Sequence, residues 1–175
     1  YDANDPDSDR VTSFVYDGSG NLVKQVAHYP LGSSTEKVQE TEFVYGTASD
    51  SSSLVASNSL LREIRYPGES DGEANSGNSY RKRFSYNRLG ETRLFTDQNG
   101  LIHEYSRDLA GRVTLDKIDP QSWQAGIDDR VKEIQTTFDT MGRVTDVESI
   151  GALSAILNEV EFEYSPLGQI TELYQ

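Results

Sequence analysis

The 175-residue chain has no cysteine, one methionine, one tryptophan and five prolines. Without cysteine there is no disulfide scaffold, no thiolate nucleophile and no cysteine-ligated zinc or iron–sulfur site, although secretion stays open. Basic side chains are also scarce: 16 Lys and Arg stand against 29 Asp and Glu, for a formal net charge of −13. Such a molecule repels phosphate backbones, so nucleic acid is not an expected partner. No apolar run approaches the roughly 18 residues of a membrane-spanning helix, and no signal-peptide pattern is present. The chain opens on Tyr1-Asp2-Ala3-Asn4 rather than on Met and reads as a piece of a longer protein. What is present in quantity is aromatic: ten Tyr and six Phe argue against disorder, although hydrophobic residues make up only 35%.

A short phrase recurs: aromatic, any residue, aromatic, Asp or Asn, two residues, Gly. Its copies are Phe14-Val15-Tyr16-Asp17-Gly18-Ser19-Gly20, Phe84-Ser85-Tyr86-Asn87-Arg88-Leu89-Gly90 and Tyr105-Ser106-Arg107-Asp108-Leu109-Ala110-Gly111. Two more are Thr136-Thr137-Phe138-Asp139-Thr140-Met141-Gly142 and Phe162-Glu163-Tyr164-Ser165-Pro166-Leu167-Gly168. A sixth opens as Phe43-Val44-Tyr45-Gly46, with the turn replaced by the Ser-rich stretch Thr47 to Ser59 and a return strand resuming near Leu60. Loop-closure entropy grows slowly with length, so such an insertion costs little.

Polarity alternates before each turn. Val160, Phe162 and Tyr164 point one way, and Glu159, Glu161 and Glu163 the other. Period two with aromatic and β-branched residues means half-buried strand. In the turn, Asp or Asn bonds its own backbone and Gly takes positive φ. Asn99-Gly100 marks a further tight turn between units. Strands are therefore expected at about 79–86, 91–96, 101–107 and 112–118, as an antiparallel meander. The whole chain reads as a single array with units at 11–29, 38–67, 79–97, 101–118, 130–150 and 156–175. Junction loops fall at 30–37, 67–78, 119–129 and 151–156, the last with room for one helical turn over Ala152–Leu157. The expected fold is all-β: repetitive antiparallel hairpins in a twisted, curled, open sheet.

These phrases, with the joiner Asp97-Gln98-Asn99-Gly100 leading into Leu101-Ile102-His103-Glu104-Tyr105, resemble the tyrosine–aspartate (YD) repeats of the Rhs, teneurin and insecticidal toxin complex C-component families. The resemblance covers nearly the whole chain. It implies a structural wall segment of a large secreted or cell-surface bacterial protein, part of a β-shell enclosing a toxin domain or supporting adhesion domains. Neighbouring YD repeats, an enclosed C-terminal toxin domain and glycans are the partners it implies. The pattern departs at Arg107, which replaces the repeat Tyr, and at Ser165, which replaces Asp; Gly46 follows Tyr45 where Asp is expected. Asp119-Pro120 is followed by Gln121-Ser122 rather than by the family's self-cleavage pattern, so no cleavage function is carried over.

No catalytic constellation stands out, so neither an enzyme nor a cofactor is expected. His28 and His103 lack metal-ligand spacing and read as strand residues. Gly18-Ser19-Gly20 lacks the third glycine of a dinucleotide fingerprint. Asp5, Asp7 and Asp9 have the spacing of a calcium loop but lack its Gly and Glu, and Glu69 to Glu73 is a second acidic loop; solvated loops are expected at both. Glu159, Glu161 and Glu163 share a strand face that either lines a cavity for basic cargo or aids solubility. Trp123 either packs back on the sheet or anchors a sugar or receptor through the junction loop, the alternative to a purely structural role. Met141 reads as an apolar cap. The residues expected to build the repeat turns are Tyr16, Asp17, Gly20, Tyr45, Tyr86, Asn87, Gly90, Asn99, Gly100, Asp108, Gly111, Phe138, Asp139, Gly142, Tyr164 and Gly168. Open sheet edges invite edge-to-edge self-association.

Overall fold

The computed structural model describes residues 11–29, 37–50, 52–123 and 125–175. The described chain is all-β, with twelve antiparallel strands joined as hairpins, and it divides into two compact units, Tyr1–Gly100 and Leu101–Gln175. Of the junction expected at 30–37, residues 30–36 lie outside the described residues and Lys37 already belongs to a strand; Asp5, Asp7 and Asp9 also lie outside them.

The first unit contains β1 (Val11–Tyr16), β2 (Leu22–Tyr29), β3 (Lys37–Thr47), β4 (Ser57–Arg65), β5 (Arg81–Tyr86) and β6 (Thr92–Thr96). Each pairs antiparallel with its sequence neighbour. The second unit contains β7 (Ile102–Arg107), β8 (Val113–Ile118), β9 (Glu133–Phe138), β10 (Val144–Ile150), β11 (Ile156–Tyr164) and β12 (Ile170–Tyr174), again paired in sequence order. Neither unit closes on itself. Strands of L-residues pair with a right-handed twist, so each sheet is twisted and open.

Three boundaries differ from the sequence expectation. Ser79 and Tyr80 belong to a short 3-10 turn before β5. In the second hairpin, β3 continues through Gly46 and Thr47, and β4 already begins at Ser57. Thr47 pairs with Ser57 because a bulge lets the strand pass Gly46, which trims the inserted loop from both sides. At Ala152–Ser154 a 3-10 turn replaces the helical turn, with Leu153 and Ser154 at φ 57° and 61°. A chain in that left-handed conformation cannot propagate a right-handed helix.

Alternation alone also misses a bulge that recurs in each of the six repeat hairpins. Tyr16 pairs with Leu22 while Val15 pairs with Lys24, so Val23 is left over. The same skip leaves out Arg62, Arg93, Thr114, Thr145 and Thr171. An extra residue in the return strand bends it and increases its local twist.

Packing is thin. The most buried apolar side chains are Val26 (8% exposed) and Tyr86 (7%) in the first unit, and Leu101 and Ile150 (9% each) in the second. Two junction loops extend the packed area. Gly72 of the 66–77 loop accepts a backbone bond from Glu40 (2.7 Å). A Cβ at Gly72 would lie 1.9 Å from the Val38 carbonyl, so only glycine fits there, at φ 73°. Ser122 of the 119–129 loop is buried, and its hydroxyl accepts the Ile102 N–H (3.0 Å).

Candidate functional site: the repeat turn and the contact between hairpins

The same backbone turn recurs in five hairpins. In the first hairpin, Gly20 N–H donates to the Asp17 carbonyl (3.1 Å) and Asp17 N–H donates to the Asn21 carbonyl (2.9 Å). Asp17 Oδ1 accepts from the N–H groups of Ser19 (2.8 Å) and Asn21 (2.9 Å). Asn87 makes the same two bonds to Leu89 and Glu91, Asp108 to Ala110 and Arg112, and Asp139 to Met141 and Arg143. Ser165 has a shorter reach and bonds only Gln169 N–H, at 3.2 Å. Gly20, Gly90, Gly111, Gly142 and Gly168 all stand at φ between 80° and 86°. Gly100 does so at 83°, with its N–H bonded to the Asp97 carbonyl, and Asn99 is exposed beside it.

The residue after the glycine completes the turn. Arg112 Nε bonds Asp108 Oδ2 at 2.7 Å, and Arg143 Nε bonds Asp139 Oδ2 at 2.6 Å. At Asp17 the Asn21 side chain does the same work (2.9 Å). These bonds favour the ionised carboxyl. Asp17 lies below its ordinary value chiefly through the Asn21 side chain, Asp108 through Arg112, and Asp139 through the Arg143 backbone N–H.

The same arginines reach the next hairpin. Arg112 lies over the Phe138 ring, 4.3 Å from its centroid, and Arg143 lies over the Tyr164 ring at 4.5 Å. A Cβ on Gly142 would sit 3.1 Å from Arg112 Nη1, so the bare turn makes room for the guanidinium. The aromatic answers in the other direction. Tyr164 donates its hydroxyl to the Val144 carbonyl (2.7 Å), and Tyr86 donates to the Leu61 carbonyl (2.5 Å). Tyr86 is covered by the enlarged loop instead of an arginine: Leu54 N–H bonds its carbonyl (2.7 Å) and its own N–H bonds Ser53 Oγ (3.1 Å). Tyr45 is half-buried in β3, and Tyr16 is 59% exposed in β1. Arg107, in the aromatic's place, bonds the Gly111 carbonyl (2.9 Å).

Sequence reading marked the Asp and Gly positions but missed Arg112 and Arg143. The twice-repeated Gly-Arg-Val-Thr was the available signal. Met141 does not cap the sheet: it is 71% exposed at its tip, and Leu109 and Leu167 are more exposed still at theirs.

Lys132 Nζ lies over the Trp123 ring, 4.3 Å from its centroid. Beside it is a cavity of about 200 Å³ whose lining includes Leu101, Ile118, Val131, Ile134 and the His103–Asp116 pair (2.9 Å). His28 lies in β2, with its Nε2 3.4 Å from Ser13 Oγ. Glu159, Glu161 and Glu163 do share one face of β11, and the register adds Asp146 and Glu148 from β10.

No family model and no curated protein sequence matches this chain. Among solved structures it is similar to the TcdB2-TccC3 crystal structure, with 12% identity and a TM-score of 0.34 over 95% of this chain and 11% of that one. It is also similar to the Photorhabdus luminescens Tc holotoxin pore (12%, 0.34, 95% and 10%) and to TcdB2-TccC3 without its hypervariable C-terminal region (12%, 0.33, 95% and 10%). The chain thus spans about a tenth of the length of those chains, and similarity this low says nothing about activity.

Proposed function

We propose that this chain is a structural wall segment of a larger secreted or cell-surface YD-repeat protein, and that its hairpins form part of a shell around a toxin domain or beneath adhesion domains. The observation that carries this reading is the directional contact between hairpins. Each of two turns sends an arginine forward onto the next aromatic, and Tyr164 and Tyr86 return a hydroxyl to the preceding return strand. Such a device has no chemistry of its own; it propagates a sheet. Each hairpin leaves an apolar face that only a neighbour covers, as in other repeat proteins. Electron microscopy of the longer protein tests the reading. Residues 11–175 are expected within a continuous β-wall, with the same strand register as in the isolated segment. A detached globular domain at this position would sink it.

The cavity beside Trp123 supports a second reading, a carbohydrate- or receptor-binding module acting through the junction loops. It expects glycan-array binding that is lost in Trp123→Ala. Lys132 already lies over the indole ring, which favours the structural role.

A further inference from the structure

The pairing of β10, β11 and β12 collects acid on one face. Asp146 is opposite Glu161, Glu148 opposite Glu159, Glu161 opposite Tyr174 and Glu163 opposite Glu172. On the other side of β10, Asp146 and Glu148 face Thr137 and Gln135 of β9, which carry no charge. The next position along, Ile150, faces Glu133, and Lys117 is held by that glutamate at 2.7 Å. The face therefore holds six carboxylates across three strands, and among the described residues the register sets no cation opposite any of them.

Within this face, one carboxylate oxygen each from Asp146, Glu148 and Glu159 lies within 4.8 Å of the others. Asp146 Oδ1 is shut off from solvent and has no hydrogen-bond partner among the described residues. A buried carboxylate oxygen without a donor is costly to leave unmade. Elsewhere the sheet does not leave one so: Glu63, only 6% exposed, is bonded by Arg65 at 2.7 Å with Arg81 at 3.5 Å.

We propose that Glu159 takes up a proton beside Asp146 and Glu148, relieving the charges opposed across the strands, and that the β10–β11 seam is an acid-set latch that tightens on acidification. Consistent with this, Glu159 is held above its ordinary carboxyl value of 4.5, first by desolvation and then by Asp146, Glu161 and Glu148. The sign follows. The folded state binds the extra proton, so this contribution is present at acid pH and is lost as pH rises from 4.5 through the raised value. Neutral and alkaline conditions leave the charges opposed and the seam loosened.

Thermal unfolding of the 175-residue chain and of Glu159→Gln, in chelator, tests the latch between about pH 4.5 and 8. The difference between the two proteins isolates the cluster from the other carboxyls. The variant is expected to melt about 2–4 °C higher at the alkaline end, with the gap closing at the acid end. Asp146→Asn should behave alike. A gap that is constant with pH overturns the proposal. So does a wild-type midpoint raised to the variant's by calcium alone, because a cation and not a proton would then fill the cluster. Should Glu159→Gln fail to fold, carboxyl NMR titration of the wild type decides: a Glu159 midpoint above 4.5 supports the latch and one at or below it overturns it.

Discussion

The two units use one sheet grammar and opposite charge patterns. Across β2 to β5, register sets Lys24 opposite Glu42, Glu42 opposite Arg65 and Arg65 opposite Arg81. Neighbours on that face form ion pairs: Lys24 to Glu40 at 2.8 Å, and Arg65 to Glu42 and Glu63 at 2.7 Å each. Burial opposes ionisation at Glu63, yet Arg65 and Arg81 outweigh it and hold the carboxyl below its ordinary value. Across β10 to β12 the same register brings acid against acid. Glu159 is pushed up, and Tyr174 is pushed up to about 12, chiefly by its bond to Glu172. Register decides which side chains meet. Their charges then decide whether the meeting supports the sheet or waits on a proton.

Removing Glu63 should break the first pattern hardest. Glu63→Ala leaves two arginines facing one another in a partly dry site, and a loss of about 3 kcal/mol is expected, measured by urea unfolding. A loss under about 1 kcal/mol would mean the row behaves as an ordinary surface ion pair.

The units also differ in how one hairpin holds the next. The first covers Tyr86 with an inserted loop; the second covers Phe138 and Tyr164 with arginines. Arg143→Ala is expected to cost about 1 kcal/mol through the lost stacking on Tyr164. Arg143→Lys should recover only part of it, since a point charge cannot stack as a planar guanidinium does. Equal stability of the Lys variant and the wild type would reduce the contact to simple charge.

Glu148→Lys rewrites the acidic face on the pattern of the first unit. A lysine there meets Glu159 directly opposite, and cross-strand pairs of opposite charge contribute about 0.2–1 kcal/mol. The variant should be stabilised at neutral pH, and its advantage should shrink in acid as Glu159 takes up a proton. Destabilisation at neutral pH would show that the carboxylates do not oppose one another.

Much of this was legible in the residues. Alternation of Val160, Phe162 and Tyr164 against Glu159, Glu161 and Glu163 is enough to place β11 and its two faces, because the side-chain period of a strand is fixed at two. The Asp-x-x-Gly phrase is enough to place each tip, because both residue types act locally. What was not legible depends on partners distant in sequence. The bulge at Val23 or Thr145 is a mismatch between two strands and belongs to neither alone. The stack of Arg112 on Phe138 joins residues of different hairpins. The acid cluster needs Glu148 and Glu159 in register, which alternation within one strand cannot supply.

The smallest expected effect separates tips from faces by the sign of their pH dependence. Asp17, Asp108 and Asp139 are each held below the ordinary value of 3.8. A carboxyl depressed on folding contributes stability that is present above its unfolded value and lost as pH falls through the folded one. The tips should therefore loosen from 3.8 downward, where the acidic face is at its tightest. The Ser165 tip serves as an internal control, because Ser165 offers no carboxyl to protonate. Amide NMR shifts followed from about pH 5 to 2.5 should move for Ala110, Arg112, Met141 and Arg143, whose N–H groups bond Asp108 and Asp139. The amide of Gln169 should hold. If all tips moved together, the transition would be general acid unfolding, and the separate roles assigned to turn and face would fall with it.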